Sequence, residues 1–530
     1  MSNNRDGAGN PCTPDRLSRL NNAALLVITI LSGGIFWLSP HPPMIDVPQH
    51  AGQVALILDL ISSTPHWQDT FYINYFTPYL LGYGLWTLLA LLMPMGIALK
   101  LLLTTAFWGF VYAGRHLRRQ CHADDRLDWL LLPAFFGFSF KWGFLTFLMA
   151  APLGMLFLSQ VMRYSQAPAL RTGLSLFLAG LALFFCHGLV FLLCMVLGGL
   201  FALGHARSVP ALMRLTMPYM ALTPLAIIYY ISASTNAVTQ QSFKTNVLWL
   251  WDTYRAWQFM VFPVGLYAEP LTILFGTVAL FAPFLLESRL NSQRMVWIPL
   301  AVILAIWLGV PHFAMKTSFL YERFSLFILP FYILMFTRKQ AYERPLLGGV
   351  SSTVRSMAPG ILPTLAITFM TVNALQFVSF ARESTDYEEA VSHVPDGRRV
   401  LSMIYDLDSP AAGNKLQYVN YSSWYQAEHK GTVDISAAWF APQPVRFRSD
   451  ALPVAKPRFA WEPWTLNELK GAGRYYDYFF VRWQHRPASV LESNDGCDIR
   501  HVASSGKWHI YQKISCPPQT STHASSFTHR

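Results

Sequence analysis

Asp46-Val47-Pro48-Gln49-His50 puts a carboxylate, an amide and an imidazole within five residues, just past the first apolar segment of the chain. A carboxylate held there can take a proton from an incoming nucleophile, or ligate a divalent cation that keeps a water shell. Pro48 stiffens the approach, and Gln49–Ile61 then reads as an amphipathic surface helix with Gln53 on its polar side. The alternative for Asp46 is purely local: the N-cap of that helix. No P-loop, nucleophile elbow or H-E-x-x-H helix occurs, so any chemistry rests on isolated groups of this kind.

These groups belong to a chain composed for a membrane. Of 530 residues, 53% are apolar and only 13% charged, and 17 Trp with 23 Tyr fit aromatic belts at headgroup level. Residues 1–380 hold 23 Lys/Arg and 13 Asp/Glu, whereas residues 381–530 hold 17 and 16. The positive excess therefore lies in the apolar part, where it sets orientation. The nearly balanced remainder lacks the basic face that nucleic acid requires, so no nucleic-acid partner is expected. None of the six cysteines has C-x-x-C spacing, which argues against zinc and dithiol redox motifs.

Apolar stretches near 22–40, 97–113, 127–143, 144–162, 172–187, 188–204, 211–231, 268–286, 295–313, 322–337 and 359–380 predict a mainly α, polytopic fold of about eleven spans. Ala23–Leu38 lacks a small-x-small cleavage pattern after it and reads as an uncleaved anchor. With the N-terminus in the cytoplasm, 17 Lys/Arg fall inside and five outside, a bias that sends the C-terminal region to the outer side. Counting Pro78–Met93 as a span would invert every later loop, so 78–95 is expected to lie against, or dip into, the outer leaflet. His187-Gly188 divides the long stretch 172–204, which fits a helical hairpin with His187 at its outer tip.

The expected organisation is a cytoplasmic segment 1–21, a membrane domain 22–380 with an outer loop 41–96, a small extracytoplasmic α+β domain 381–518 and a disordered tail 519–530. Within the α+β domain, Arg399–Tyr405, Tyr475–Val481 and Lys507–Lys513 read as strands and Tyr387–His393 as part of a helix. Cys497 and Cys516 bracket a predicted hairpin and are expected to pair in an oxidising compartment.

On this topology the outward acids of the membrane part are Asp46, Asp59, Asp69, Asp252, Glu269 and Glu322, and the outward cations are Lys141, Lys244, Arg255, Lys316 and Arg323. Asp46 is the acid closest to a span end within a constrained polar segment, and acids so placed are expensive unless used. His50 and His187 share its side and are candidates for substrate contact, though two such His with Asp46 lack ligand-like spacing for a transition metal. Arg323 can grip a phosphate through its guanidinium fork; the alternative is pairing with Glu322.

The many spans, the cytoplasmic N-terminus and Asp46-x-Pro48-x-His50 followed by Phe76-x-Pro78-Tyr79 in a long first outer loop resemble the GT-C superfamily of membrane glycosyltransferases. The resemblance implies a polyprenyl-phosphate-linked sugar donor and an extracytoplasmic acceptor. It also implies Asp46, with His50, as the catalytic acid/base or metal-supporting group, a divalent cation being the one cofactor in view. Gln53, Asp69, Lys141, His187, Lys316 and Arg323 are then the candidate substrate contacts, and a bacterial inner membrane the expected location. The loop around Phe138–Phe147 departs from the family pattern: where many members carry a second acid it holds only Lys141, so either Asp69 or His187 substitutes or the chain is a divergent or non-catalytic member. A transporter or assembly component for lipid-linked saccharides is the alternative. No internal repeat supports it.

Overall fold

The computed structural model of the protein describes residues 16–236, 238, 247–249, 254–267, 269–314, 317–338, 352–434, 436–456, 471–490 and 495–518. The expected tail 519–530 lies outside them, as do Lys244, Asp252 and Lys316. The chain is mostly helical. Helix α1 (Arg16–Gly33) continues through a tight turn into the loop that carries Asp46, and α2 (Val47–Leu60) follows, with Pro48 in its first turn. The expected interfacial stretch 78–95 is α3 (Leu80–Ala90), too short to cross a bilayer, after which Pro94 opens the long α4 (Met95–Gln120). Arg118 and Arg119 in the last turn of α4 sit where the helix dipole favours cations.

Two of the expected spans, 127–143 and 211–231, are interrupted. Residues 127–143 form a short turn and two five-residue helices, α5 (Leu131–Phe135) and α6 (Phe138–Trp142), separated at Gly137 and ended by Gly143 at φ +93°. Hydropathy registers neither break, because the interrupting residues are themselves surrounded by apolar ones. Residues 322–335 wind as one short continuous helix, tightened at both ends, before the chain turns extended at Phe336. Helices α7 (Leu145–Gln166), α8 (Leu170–Cys186) and α9 (Gly188–His205) follow, with His187 between the last two. Next come α10 (Val209–Met220) and α11 (Thr223–Thr235), bent against each other by 43°. Beyond them lie α12 (Tyr254–Val261), α13 (Pro270–Leu285), α14 (Ile298–Gly309), α15 (Ser325–Tyr332) and the long α16 (Ser352–Glu383).

Among the described residues, five helices are long and apolar enough to cross a membrane alone, or six if the bent pair counts as one. The molecule is thus a polytopic membrane protein that also uses shorter apolar helices, and these leave room for irregular backbone near Asp46. Irregular backbone at such depth is tolerated only where protein buries it.

After α16 the chain forms α17 (Thr385–Val391), α18 (Ser423–Glu428), α19 (Ala472–Tyr475) and a small sheet. Strand β1 (Phe71–Ile73) belongs to the first loop, and β2 to β5 are two-residue strands between 289 and 337. The sheet proper comprises β6 (Arg399–Ile404), β7 (Thr432–Val433), β9 (Tyr478–Arg482), β10 (Asp498–Ser505) and β11 (Trp508–Ser515), ordered β10-β11-β9-β6-β7. β6 runs parallel to both of its neighbours and the hairpin is antiparallel. Every residue of β9 is buried, as a central strand demands. Cys497 and Cys516 are disulfide-bonded at the open end of the hairpin, their Cα atoms 4.0 Å apart. Strand β8 (Val445–Phe447) leaves this sheet to pair antiparallel with β1, Phe71 opposite Phe447, and so ties residues beyond 381 to the first loop.

Candidate active site

Asp46 occupies the N-cap position of α2, yet its side chain makes no cap hydrogen bond. The carboxylate instead accepts from Asn420 Nδ2 at 2.7 Å, and Gln49 Nε2 donates to Asn420 Oδ1 at 2.9 Å. The backbone is pinned from the opposite side: Asp46 N–H donates to the Trp142 carbonyl (2.9 Å) and Ile45 N–H to that of Lys141 (3.3 Å). Gly143 makes this approach possible. A Cβ there would stand 2.8 Å from the Asp46 nitrogen, and its φ of +93° is one that side chains disfavour.

Burial pushes the Asp46 carboxyl up to about 7, against the opposing pull of the Arg323 charge and the Asn420 and Trp142 hydrogen bonds. The carboxyl is thus poised near neutrality, where a proton acceptor works best.

His50, one turn into α2, hydrogen-bonds through Nδ1 to the Tyr83 hydroxyl, which donates to Gln443 Oε1 at 2.6 Å. Burial and the Arg323 charge lower the His50 imidazole to about 4, so at neutral pH it is an uncharged hydrogen-bonding group. His187 caps α9: its Nδ1 accepts from Leu189 N–H at 3.2 Å. In the neutral ring the proton is then on Nε2, which is buried without a partner. Tyr79 (centroids 4.9 Å apart) and Phe147 (5.0 Å, perpendicular) clamp that ring. Burial, then the charges of Arg323 and His50, hold His187 well below the usual imidazole range.

Arg323 links these groups, since its charge acts on Asp46, His50 and His187 alike. Its guanidinium lies 3.8 Å over the Phe144 ring, Nη2 donates to the Ser318 carbonyl at 3.1 Å, and Nε is buried without a partner. The alternative in which Glu322 takes up Arg323 is not realised. Glu322 turns to His312 Nδ1, leaving its own Oε2 unpaired. A half-buried carboxylate thus lies in the field of a guanidinium with a donor to spare, and the same guanidinium acts on an imidazole whose N–H is unused. That set suits a substrate carrying both a hydroxyl and an anionic group. For a divalent cation it is a poor fit, because the Asp46 carboxylate already faces a fixed positive charge.

The remaining sequence candidates lie elsewhere. Lys141 lends only its carbonyl to this group; its ammonium donates to Gln376 Oε1 at 2.8 Å in a cleft shared with Glu269, Asn373 and Tyr267. Gln53 is fully buried and accepts from Val445 N–H at 2.9 Å, stitching α2 to β8. Asp69 is exposed in the turn before β1. Arg255 stacks 3.9 Å over Tyr321 and donates to the carbonyls of Leu308 and Val310. Sequence reasoning passed over Asn420, Gln443 and Tyr83, and reached Tyr79 only within Phe76-x-Pro78-Tyr79. Only the two tyrosines left a signal, four residues apart in the otherwise apolar stretch 78–95.

Helices of uneven length and a small α+β layer meet at this half-buried carboxylate. Among solved structures, that of the arabinofuranosyltransferase AftD from mycobacteria matches with a TM-score of 0.51 at 11% identity, over 93% of this chain and 41% of that one. The chain therefore spans less than half the length of that neighbour, and the likeness is one of fold. No family model and no curated protein matches the sequence.

Proposed function

We propose that this protein is a membrane glycosyltransferase that moves a sugar from a polyprenyl-phosphate donor to an extracytoplasmic hydroxyl acceptor. The observation that carries the reading is Asp46. Its carboxylate forgoes the cap, is raised towards neutrality, and faces Arg323 with an unused guanidinium donor. In the proposed step Asp46 takes the proton of the acceptor hydroxyl as that oxygen bonds the anomeric carbon. The bond from that carbon to the phosphate oxygen breaks, and the phosphate leaves with the electron pair. Arg323 Nε–H and His187 Nε2–H receive the growing charge on the phosphate, a charge-assisted contact worth more in a dry site than in water. His50, held by Tyr83, lines the acceptor side.

The fold neighbour transfers an arabinofuranosyl unit, which makes pentose donors the first to try, with hexose donors beside them. Residues 381–518 form the acceptor-side domain of this reading, facing the periplasm of a bacterial inner membrane. Protein in proteoliposomes should transfer label from one of a panel of polyprenyl-phosphate sugars, and Asp46→Asn should abolish it. Equal transfer by that variant would return the protein to the transport reading. A cytosol-only signal from a reporter fused after residue 530 would overturn the orientation.

A further inference from the structure

His41, between α1 and Asp46, is buried, and each of its ring nitrogens meets an acid. Nε2 is 2.7 Å from Glu428 Oε1, and Nδ1 is 3.1 Å from Glu388 Oε1 and 3.2 Å from the Tyr421 hydroxyl. The ring stacks on Trp424, centroids 4.0 Å apart. Glu388 comes from α17 and Glu428 from α18, so three separate segments meet on one imidazole.

The oxygens and nitrogens lie close enough together to invite a metal ion. The two carboxylates, however, sit on opposite ring nitrogens, and an ion bound to one nitrogen leaves the other acid behind. A ring with a proton on each nitrogen satisfies both. Burial opposes that charge, but the two glutamates outweigh it and push His41 up to about 9.

The same stretch of chain carries Asn420. Residues 41–46 hold 420–428 at two points, His41 on Tyr421 and Glu428, and Asp46 on Asn420. Between them α18 lies tightly on α2, where a Cβ at Gly52 would stand 2.8 Å from Gln426 Nε2.

We propose that His41 is a positioning residue, an ionic clamp that seats 420–428 on the first loop and so keeps Asn420 on Asp46. Its importance to catalysis rests on the transferase reading; the clamp itself does not. The titratable groups facing the ring are Glu388 from α17, Glu428 from α18, and Tyr421, whose hydroxyl burial keeps protonated. A folded-state value of about 9 against the usual 6.5 means that the clamp is at full strength below about pH 6.5 and is lost as pH rises through about 9.

The test uses full-length protein in detergent and reads the pH dependence of carbodiimide labelling at Asp46, since only the protonated carboxyl reacts, together with hydrogen exchange over 418–428. With His41→Gln, loss of the Asn420 hydrogen bond should raise the Asp46 labelling midpoint by about one pH unit. Exchange over 418–428 should quicken at least tenfold. His41→Lys should restore protection at neutral pH, and the wild type should lose it above about pH 9. An unchanged Asp46 midpoint in His41→Gln overturns the clamp, as does protection that zinc increases and a chelator removes. No sugar enters these measurements, so a shifted midpoint combined with full transfer by Asp46→Asn would sink the transferase and leave the clamp standing.

Discussion

The two ends of α1 treat buried carboxylates in opposite ways. Near its start, Asp128 is fully enclosed and receives Arg118 through two hydrogen bonds (2.9 and 2.8 Å) and Arg115 through one (3.1 Å), and Arg115 also reaches Asn22 of α1 at 2.6 Å. Its neighbour Asp124 takes both arms of Arg126 and the Ser288 hydroxyl. These partners outweigh burial and hold its carboxyl below the usual range. Past the far end of α1, Asp46 has an amide, an indole and a guanidinium that acts by charge, and burial wins. His187 Nε2 and Arg323 Nε are buried there without partners. Fully matched acids build the scaffold, whereas an undermatched acid among spare donors is a place where a ligand completes the hydrogen bonding.

The sharpest way to break this contrast is to neutralise one acid at each end. Asp128→Asn strands two buried guanidiniums and should cost about 3–5 kcal/mol, read as a large fall in melting temperature and in yield of folded protein. Asp46→Asn should leave the melting temperature near or above that of the wild type while lowering sugar transfer at least ~100-fold. If both variants melt alike and neither loses transfer, the two ends do not differ in kind. Arg323→Gln should weaken use of the lipid-linked donor by about 10–100-fold, mainly in KM, with little change in stability. An effect on stability alone would make Arg323 another scaffold guanidinium. The gentlest probe is pH. Asp46 must be ionised to accept a proton, so transfer should rise with pH through about 7 and run roughly tenfold below its plateau one unit lower. A profile flat from pH 5 to 8 would contradict the raised carboxyl.

Much of the layout was legible because it rests on contrasts along the chain. A polar cluster after an apolar run marked Asp46, His187-Gly188 divided a stretch too long for one span, and the distribution of basic residues kept Pro78–Met93 from counting as a span. The break inside 127–143 was invisible. Hydropathy averages over Gly137 and Gly143, whose effect lies in backbone angles and close approach rather than in polarity. The partners of the site were hidden for another reason. Asn420 and Gln443 are polar residues in a polar region, and only the fold brings them to Asp46 and Tyr83. Gln53 shows the converse: an amide on the expected polar side of a surface helix is fully buried, because β8 docks there.

The bond between Asn420 and Asp46 joins residues 374 positions apart, and the β1–β8 ribbon spans a similar interval. At about 5–20 residues per second of synthesis, roughly 20–75 s separate the emergence of the acid from that of its amide partner. Throughout that interval the nascent chain carries Asp46 without the hydrogen bond that orients it. Competence is therefore a late event in the life of each molecule: the loop made first waits for a segment made near the end, and a chain released early carries the acid but never the completed site.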